Sequence, residues 1–212
     1  MAKPRAPTLV LLVRHGQTPT TGRQLPGQAA GLELADVGRR QAEAAAERIG
    51  AATKIAAVYA SPLERTRQTA APIARATGNR VRSVADLADV DTGDWTGKRL
   101  SDLRRRREWK QVQRYPSGFR FPGGESFTEM QTRVTGALSS LVARHRGEVI
   151  VAVSHADPIK AAVSHALGAH LDHFQRLVVS PCSVSAVAYT EGGPMVLAVN
   201  TTGGDLKAAL AG

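Results

Sequence analysis

Apolar positions in this chain fall into two kinds of pattern. Leu9–Val13 and Val149–Val153 are unbroken apolar runs bounded by polar residues. Runs of that length fit strands buried on both faces, as in a parallel sheet covered by helices. Other stretches repeat their apolar residues at helical spacing, the clearest being Phe127, Met130, Val134, Leu138, Leu141 and Val142. The patterning predicts strands over Thr8–Val13, Ile55–Tyr59, Val81–Val84 and Val149–Val153. It predicts helices from Asp36 to about Ala51, Leu100 to about Gln113, Ser126 to about Arg146 and Pro158 to Leu167. Ser61-Pro62 reads as an N-cap followed by a first-turn proline, opening a helix that runs to Thr77 and stops at Gly78-Asn79, with Pro72 inside it. Val184–Tyr189 and Met195–Val199 read as a closing hairpin around Gly192-Gly193.

Strands and helices alternate, which predicts an α/β fold: a three-layer α/β/α sandwich with a mostly parallel sheet. No internal repeat or low-complexity linker divides the chain, so residues 1–212 read as one domain. Thr18–Leu34 is a Gly-, Pro- and Gln-rich loop. The irregular segment 86–124 falls between two strands and is the expected cap insertion over one end of the sheet.

Composition narrows the picture. One cysteine, Cys182, excludes an intrachain disulfide framework and multi-cysteine metal centres. No apolar run reaches the roughly 18–20 residues needed to cross a bilayer. The leader Met1–Pro7 is too short and polar for a secretory signal, so a cytoplasmic protein is expected, with no membrane partner. The net charge of +10 favours anionic partners. Arg104–Arg107 is the densest basic run, but no aromatic stacking pattern accompanies it. It reads as a solvated helix face, and nucleic acid is not the expected partner. A small phosphorylated metabolite fits better.

Three segments carry the chemistry. The first strand ends in Arg14-His15, the second just before Ser61-Pro62-Leu63-Glu64-Arg65, and the Val149–Val153 strand in Ser154-His155. In open α/β sheets ligands bind beyond the carboxyl ends of the strands. Parallel strands would bring Arg14, His15, Arg65 and His155 to one edge. Guanidinium forks bind phosphoryl oxygens bidentately. A neutral imidazole can attack phosphorus, and a second histidine can stabilise the transition state. A carboxylic acid must protonate the leaving oxygen and then activate water. Asp86, Asp89, Asp91 and Asp94 are the candidates. Side chains supply the positive charge, so neither metal nor cofactor is expected.

Five motifs in order resemble the histidine phosphatase superfamily, in its phosphoglycerate mutase-like branch. They are Leu12-Val13-Arg14-His15-Gly16-Gln17-Thr18, Ser61–Ala70, Leu87–Gly97, Pro122–Ser126 and Val153-Ser154-His155. The resemblance implies that His15 is the phosphorylated nucleophile and that Arg14, Arg65 and His155 complete the phosphate pocket. It implies Asp89 as the acid, where the family usually has glutamate, with Asp91 as the alternative. Thr18 would support the loop after the nucleophile. Thr21 stands where the family often has asparagine and Ala156 where it usually has glycine; both would contact the substrate.

The expected activity is metal-independent hydrolysis of a phosphomonoester through phosphohistidine. The alternatives are a phosphomutase of the phosphoglycerate mutase type and a weakened enzyme that only binds a phosphorylated ligand. The compact 86–124 segment leans toward hydrolysis. Arg104, Arg107, Phe119 and Phe121 are expected to contribute to substrate choice. Glu125 reads equally as a neighbour of the site or as a helix N-terminal acid.

Overall fold

The computed structural model describes residues 6–210. The leader Met1–Arg5 lies outside the described residues. Six strands form one sheet: β1 (Thr8–Arg14), β2 (Ala57–Ala60), β3 (Val81–Ser83), β4 (Val149–Ser154), β5 (Val184–Thr190) and β6 (Gly193–Thr201). Their order is β3-β2-β4-β1-β5-β6. β3, β2, β4 and β1 run parallel, and the terminal hairpin β5–β6 adds antiparallel to β1.

The central strands are buried on both faces, so alternate residues face opposite layers. Leu11, Val13, Val58, Val151 and Val153 pack with Ala46 and Ile49 of α1 (Asp36–Ala52), Ala70 and Ile73 of α2 (Glu64–Ala76) and Leu206 of the short terminal helix. Val10, Leu12, Tyr59, Ile150 and Ala152 face the other way. They meet α5 (Phe127–Arg144) and α6 (Ala156–Ala166). The result is the α/β/α sandwich read from the sequence. The long helix α5 opens where Ser126 predicted it, with a capping box between Ser126 and Glu129.

Two expectations need correction. The helix after β2 begins at Glu64, not at Ser61-Pro62. Ser61 instead prolongs the strand pairing, its N–H donating to Val153 O at 3.0 Å, and its hydroxyl is engaged elsewhere. Pro72 sits inside α2 without ending it. The single charged helix over Leu100–Gln113 is two short ones, α3 (Leu100–Leu103) and α4 (Trp109–Arg114). Leu103 and Val112 are both buried in the same cluster. Nine residues at about 100° per residue would put them on opposite faces of one helix, so the chain must break between them. Within residues 86–124, Trp95 stacks on Trp109 at 6.3 Å and meets Phe119 and Phe121 edgewise or tilted at 5.6 Å each. This aromatic group fastens the segment to the α5 side of the sheet.

Candidate active site

The register of the parallel strands places three chain segments side by side. Arg14 pairs with Ser154 across β1 and β4, and Ala60 with Val153 across β2 and β4. His15 N–H donates to Ser154 O at 2.9 Å, continuing that ladder one residue beyond the strand. Arg14-His15, Ser61 and Ser154-His155 therefore leave the sheet at one edge. The rings of His15 and His155 lie 5.2 Å apart between centroids.

The loop after β1 is held on every side. Gly16 N–H donates to Thr69 Oγ1 of α2 at 3.0 Å, and Gln17 N–H to Gln41 Oε1 of α1 at 3.0 Å. The backbones of Gly16-Gln17 and Gly38 are in direct contact. A Cβ on Gly38 would fall 2.0 Å from Gln17 O, and one on Gly16 2.5 Å from Gly38 O. Only glycine fits either position. Thr18 N–H donates to the Thr21 hydroxyl at 2.9 Å, and the two hydroxyls are 3.0 Å apart, closing the turn that follows.

This packing fixes the state of His15. The ring is 4 % exposed, and its Nδ1 lies 2.7 Å from Gly16 O. A carbonyl only accepts, so Nδ1 carries the proton and Nε2 keeps its lone pair. Burial first, and then the guanidinium charges of Arg14 and Arg65, push the pKa of His15 down to about 3. His155 is fully buried and held well below its ordinary pKa by burial and by Arg65. Its Nε2 lies 2.9 Å from the Ser61 hydroxyl, which leaves Nδ1 without a hydrogen-bond partner and 3.7 Å from Asp89 Oδ2.

Both arginines are anchored through part of the guanidinium. Arg14 donates to Val179 O at 2.7 Å. Arg65, fully buried, donates to Gly27 O at 2.7 Å and reaches Asp89 Oδ2 at 3.4 Å. The Nε of each is buried without a partner. Cations whose buried donors lack partners are poised for an anion.

Asp89 is 9 % exposed. Burial raises its pKa to about 6; Arg65 opposes the rise and the Asp157 carboxylate adds to it. Oδ1 accepts from Val90 N–H at 3.0 Å, which leaves Oδ2 toward Arg65 and His155. Asp91 is used differently: its Oδ1 accepts from Gly93 N–H at 3.0 Å and closes a local turn.

One cavity of about 420 Å³ joins Arg14, His15, Thr18, Thr21, Asp89 and Ala156. Arg65 and His155 stand behind it, against Asp89. Ala156 opens α6, whose first turn presents unpaired backbone N–H groups. Asp157, Lys160, Gln175 and Leu177–Val179 also line it, beside Leu25, Pro26 and Leu100, and had no motif to announce them. Phe119 and Phe121 are buried in the aromatic cluster. Arg107 lines a separate surface depression with Glu108, Lys110 and Gln111. Neither Arg104 nor these three is among the residues lining the cavity, so the expected contribution to substrate choice has no direct contact behind it. Arg67 is exposed, with a loose approach of 4.0 Å to Glu64.

Sequence reading also passed over Arg133, on α5. Its guanidinium donates to Asp86 O, Ala88 O and Asp89 O at 2.7–2.9 Å and pairs with Glu125 at 2.5 Å. Glu125 in turn accepts from Asp91 N–H at 2.8 Å. Glu125 is thus a brace for the acidic segment, not a group in the cavity. Ser154 Oγ ties the same segment to β4 by donating to Leu87 O at 2.7 Å.

Comparison with known proteins identifies the family and the fold. The family described as histidine phosphatase superfamily (branch 1) matches residues 10–202. A bifunctional protein of Mycobacterium tuberculosis is 35 % identical over 203 residues, covering 93 % of this chain and 55 % of its own length. The chain therefore spans about half of that relative. A probable phosphoglycerate mutase of Yersinia enterocolitica is 35 % identical over 185 residues, covering 86 % of this chain and 85 % of its own. Among solved structures, a mycobacterial glucosyl-3-phosphoglycerate phosphatase superposes with a TM-score of 0.83 at 25 % identity, over 94 % of this chain and 100 % of its own. Among the described residues no helix is long and apolar enough to cross a membrane. A match over nearly the whole length, close relatives and a shared sandwich leave one conclusion: the chain belongs to branch 1 of the histidine phosphatase superfamily.

Proposed function

We propose that the protein hydrolyses phosphomonoesters through a phosphohistidine on His15. The observation that carries the reading is the neutral His15 ring with Nδ1 held by Gly16 O and Nε2 left unprotonated near the half-buried Arg14 and the fully buried Arg65. In the first step Nε2 attacks phosphorus, the bond to the leaving oxygen breaks, and Asp89 gives that oxygen its proton. The charge that develops on the imidazole is held by the Nδ1–H bond to Gly16 O. With the Ser61 hydroxyl donating to Nε2 of His155, its Nδ1–H is free for an equatorial phosphoryl oxygen. Arg14, Arg65 and the first-turn N–H groups of α6 take the others. In the second step the Asp89 carboxylate removes a proton from water, the water oxygen attacks phosphorus, and the N–P bond breaks. The alcohol, inorganic phosphate and neutral His15 result.

Asp89 is assigned the acid in preference to Asp91 because it lines the cavity and holds its proton to about pH 6, whereas Asp91 closes a turn. Hydrolysis is preferred to a mutase reaction because the segment 86–124, the proposed cap, is compact and contributes only Asp89, Val90, Thr92 and Leu100 to the cavity wall. Incubation with phosphorylated substrates, following both inorganic phosphate and isomerised product, tests this. Stoichiometric phosphate release is expected; isomerised product with negligible phosphate would replace the reading with a mutase.

Arg133 is a positioning residue in this scheme, since its hydrogen bonds go to the backbone around Asp89 and to the Glu125 brace, and its charge lowers the His155 pKa less than burial, Arg65, His15 and Arg14 do. Arg133→Met keeps the apolar stem but loses the carbonyl contacts. Misplacing a catalytic group by about 1 Å costs up to about a hundredfold, so kcat should fall about ten- to hundredfold with inhibition by inorganic phosphate little changed. Arg133→Lys should not restore it, because an ammonium cannot span three carbonyls. Equal losses in kcat and phosphate affinity would assign Arg133 a general structural role instead.

A further inference from the structure

We propose that the site takes phosphomonoesters of bulky, mainly apolar alcohols that carry no second negative charge. This rests on the hydrolase reading and deepens it. Phosphate would occupy only the end of the cavity at Arg14, His15 and Asp89. A volume of about 420 Å³ lies in the range that holds drug-sized ligands, so most of it faces the leaving group. Besides the groups assigned to phosphate, the cavity wall includes Leu25, Pro26, Leu100, Leu177 and Val178. Val178 is 66 % exposed. An apolar side chain left uncovered at the mouth of a cavity gains by meeting an apolar ligand.

The charges on the wall point the same way. Beyond the groups assigned to phosphate and to proton transfer, the ionised lining residues are Lys160 and Asp157. Lys160 Nζ lies 3.3 Å from Asp157 Oδ1 and 3.0 Å from Gln175 Oε1. A carboxylate or second phosphate on the substrate would meet the Asp157 charge wherever it met the Lys160 charge. Attraction and repulsion at similar distances nearly cancel, while the anion still loses water. Arg23 and Arg99 are exposed neighbours in the chain but do not line the cavity. Gln24 and Gln175 remain to orient a neutral hydroxyl or amide.

The test is phosphate release from the purified protein with straight-chain alkyl phosphates from ethyl to octyl. Leaving-group basicity is nearly constant along this series, so length reports binding and not chemistry. Each methylene buried against the wall should raise kcat/KM about fourfold until the cavity is filled. Hexyl phosphate should exceed 3-phosphoglycerate and phosphoserine by at least about tenfold. Val178→Asn should flatten the length dependence. Asp157→Asn should shift the ratio of kcat/KM toward 3-phosphoglycerate by about tenfold, because Lys160 is then uncompensated. Taking the ratio within one variant removes any effect of Asp157 on Asp89. Phosphate release with no dependence on chain length, a preference for the doubly charged esters, or an unmoved ratio in Asp157→Asn would overturn the proposal and leave the hydrolase reading intact. No phosphate from any ester would overturn both.

Discussion

His15→Ala should lower phosphatase turnover by at least about ten-thousandfold, roughly 5.5 kcal/mol of barrier. The size follows from what is lost. Without the ring there is no N–P bond to form, and water would have to displace the alcohol directly. In the proposed scheme Asp89, the carboxylate 3.4 Å from Arg65 and 3.7 Å from His155, serves the leaving oxygen and not a water poised for direct attack. Phosphate affinity should survive within about tenfold, since Arg14 and Arg65 hold their positions through Val179 O and Gly27 O and not through His15. The direct measurement is rapid acid-free quenching with labelled substrate. Wild-type protein should carry a phosphoryl adduct that is stable in base and labile in acid, and His15→Ala should carry none. An adduct that persists in the variant would place the nucleophile elsewhere. Intact ligand binding without any adduct in the wild type would favour a protein that only binds phosphorylated ligands.

Asp89→Asn should reduce kcat for alkyl esters by about 10²–10⁴-fold, the usual contribution of a positioned general acid. The loss should depend on the leaving group. An alkoxide needs a proton as it departs, whereas p-nitrophenolate does not. Formation of the phosphohistidine from p-nitrophenyl phosphate should therefore remain fast in the variant, while its hydrolysis, which needs the Asp89 carboxylate as base, becomes slow. The signature is a burst of nitrophenolate followed by slow turnover. The pH profile supplies a second check. Attack requires His15 neutral, which holds above a pKa of about 3. Proton donation requires Asp89 protonated, which holds below about 6. kcat/KM should be greatest between these values and fall on either side, and the alkaline limb should disappear in Asp89→Asn. The second ionisation of a phosphomonoester also lies near pH 6; a limb that persists in the variant belongs to the substrate. If Asp89→Asn is silent and Asp91→Asn inactive, the donor has been misassigned.

Much of this was legible in the sequence because the chemistry sits at strand ends. Leu9–Val13 and Val149–Val153 announce buried strands, and the residue after each run is where a parallel sheet delivers its ligands. Arg14, His15 and His155 follow from that rule alone. Arg65 was harder, since the chain passes through Ser61-Pro62 first, and those two residues imitate a helix start. The imitation failed because the Ser61 hydroxyl lies against His155 and its N–H extends the strand pairing, contacts between segments 94 residues apart that no local pattern encodes. Arg133 was hidden for a related reason. It lies on a helix whose periodicity marks the buried face, and its partners are backbone carbonyls, which have no sequence signature. The wall formed by Lys160, Gln175 and Val178 is likewise a product of how α6 and the following chain fold back over Arg14. The break between α3 and α4 was readable in principle from the spacing of Leu103 and Val112, once both are known to enter the same core.

The contact between Gly16-Gln17 and Gly38 bears on a different quantity, the mechanical stiffness of the nucleophile. In the proposed reaction, phosphorus closing on Nε2 would push the ring backward, and a loop with slack would recoil and lengthen the forming bond. Here backbone rests on backbone, with no side chain between them to compress. The first turn of α1 therefore serves as an anvil behind His15, although it touches no substrate. One added methyl group at Gly38 would meet Gln17 O at 2.0 Å and displace the loop that carries His15, while leaving all of the reacting groups chemically unchanged.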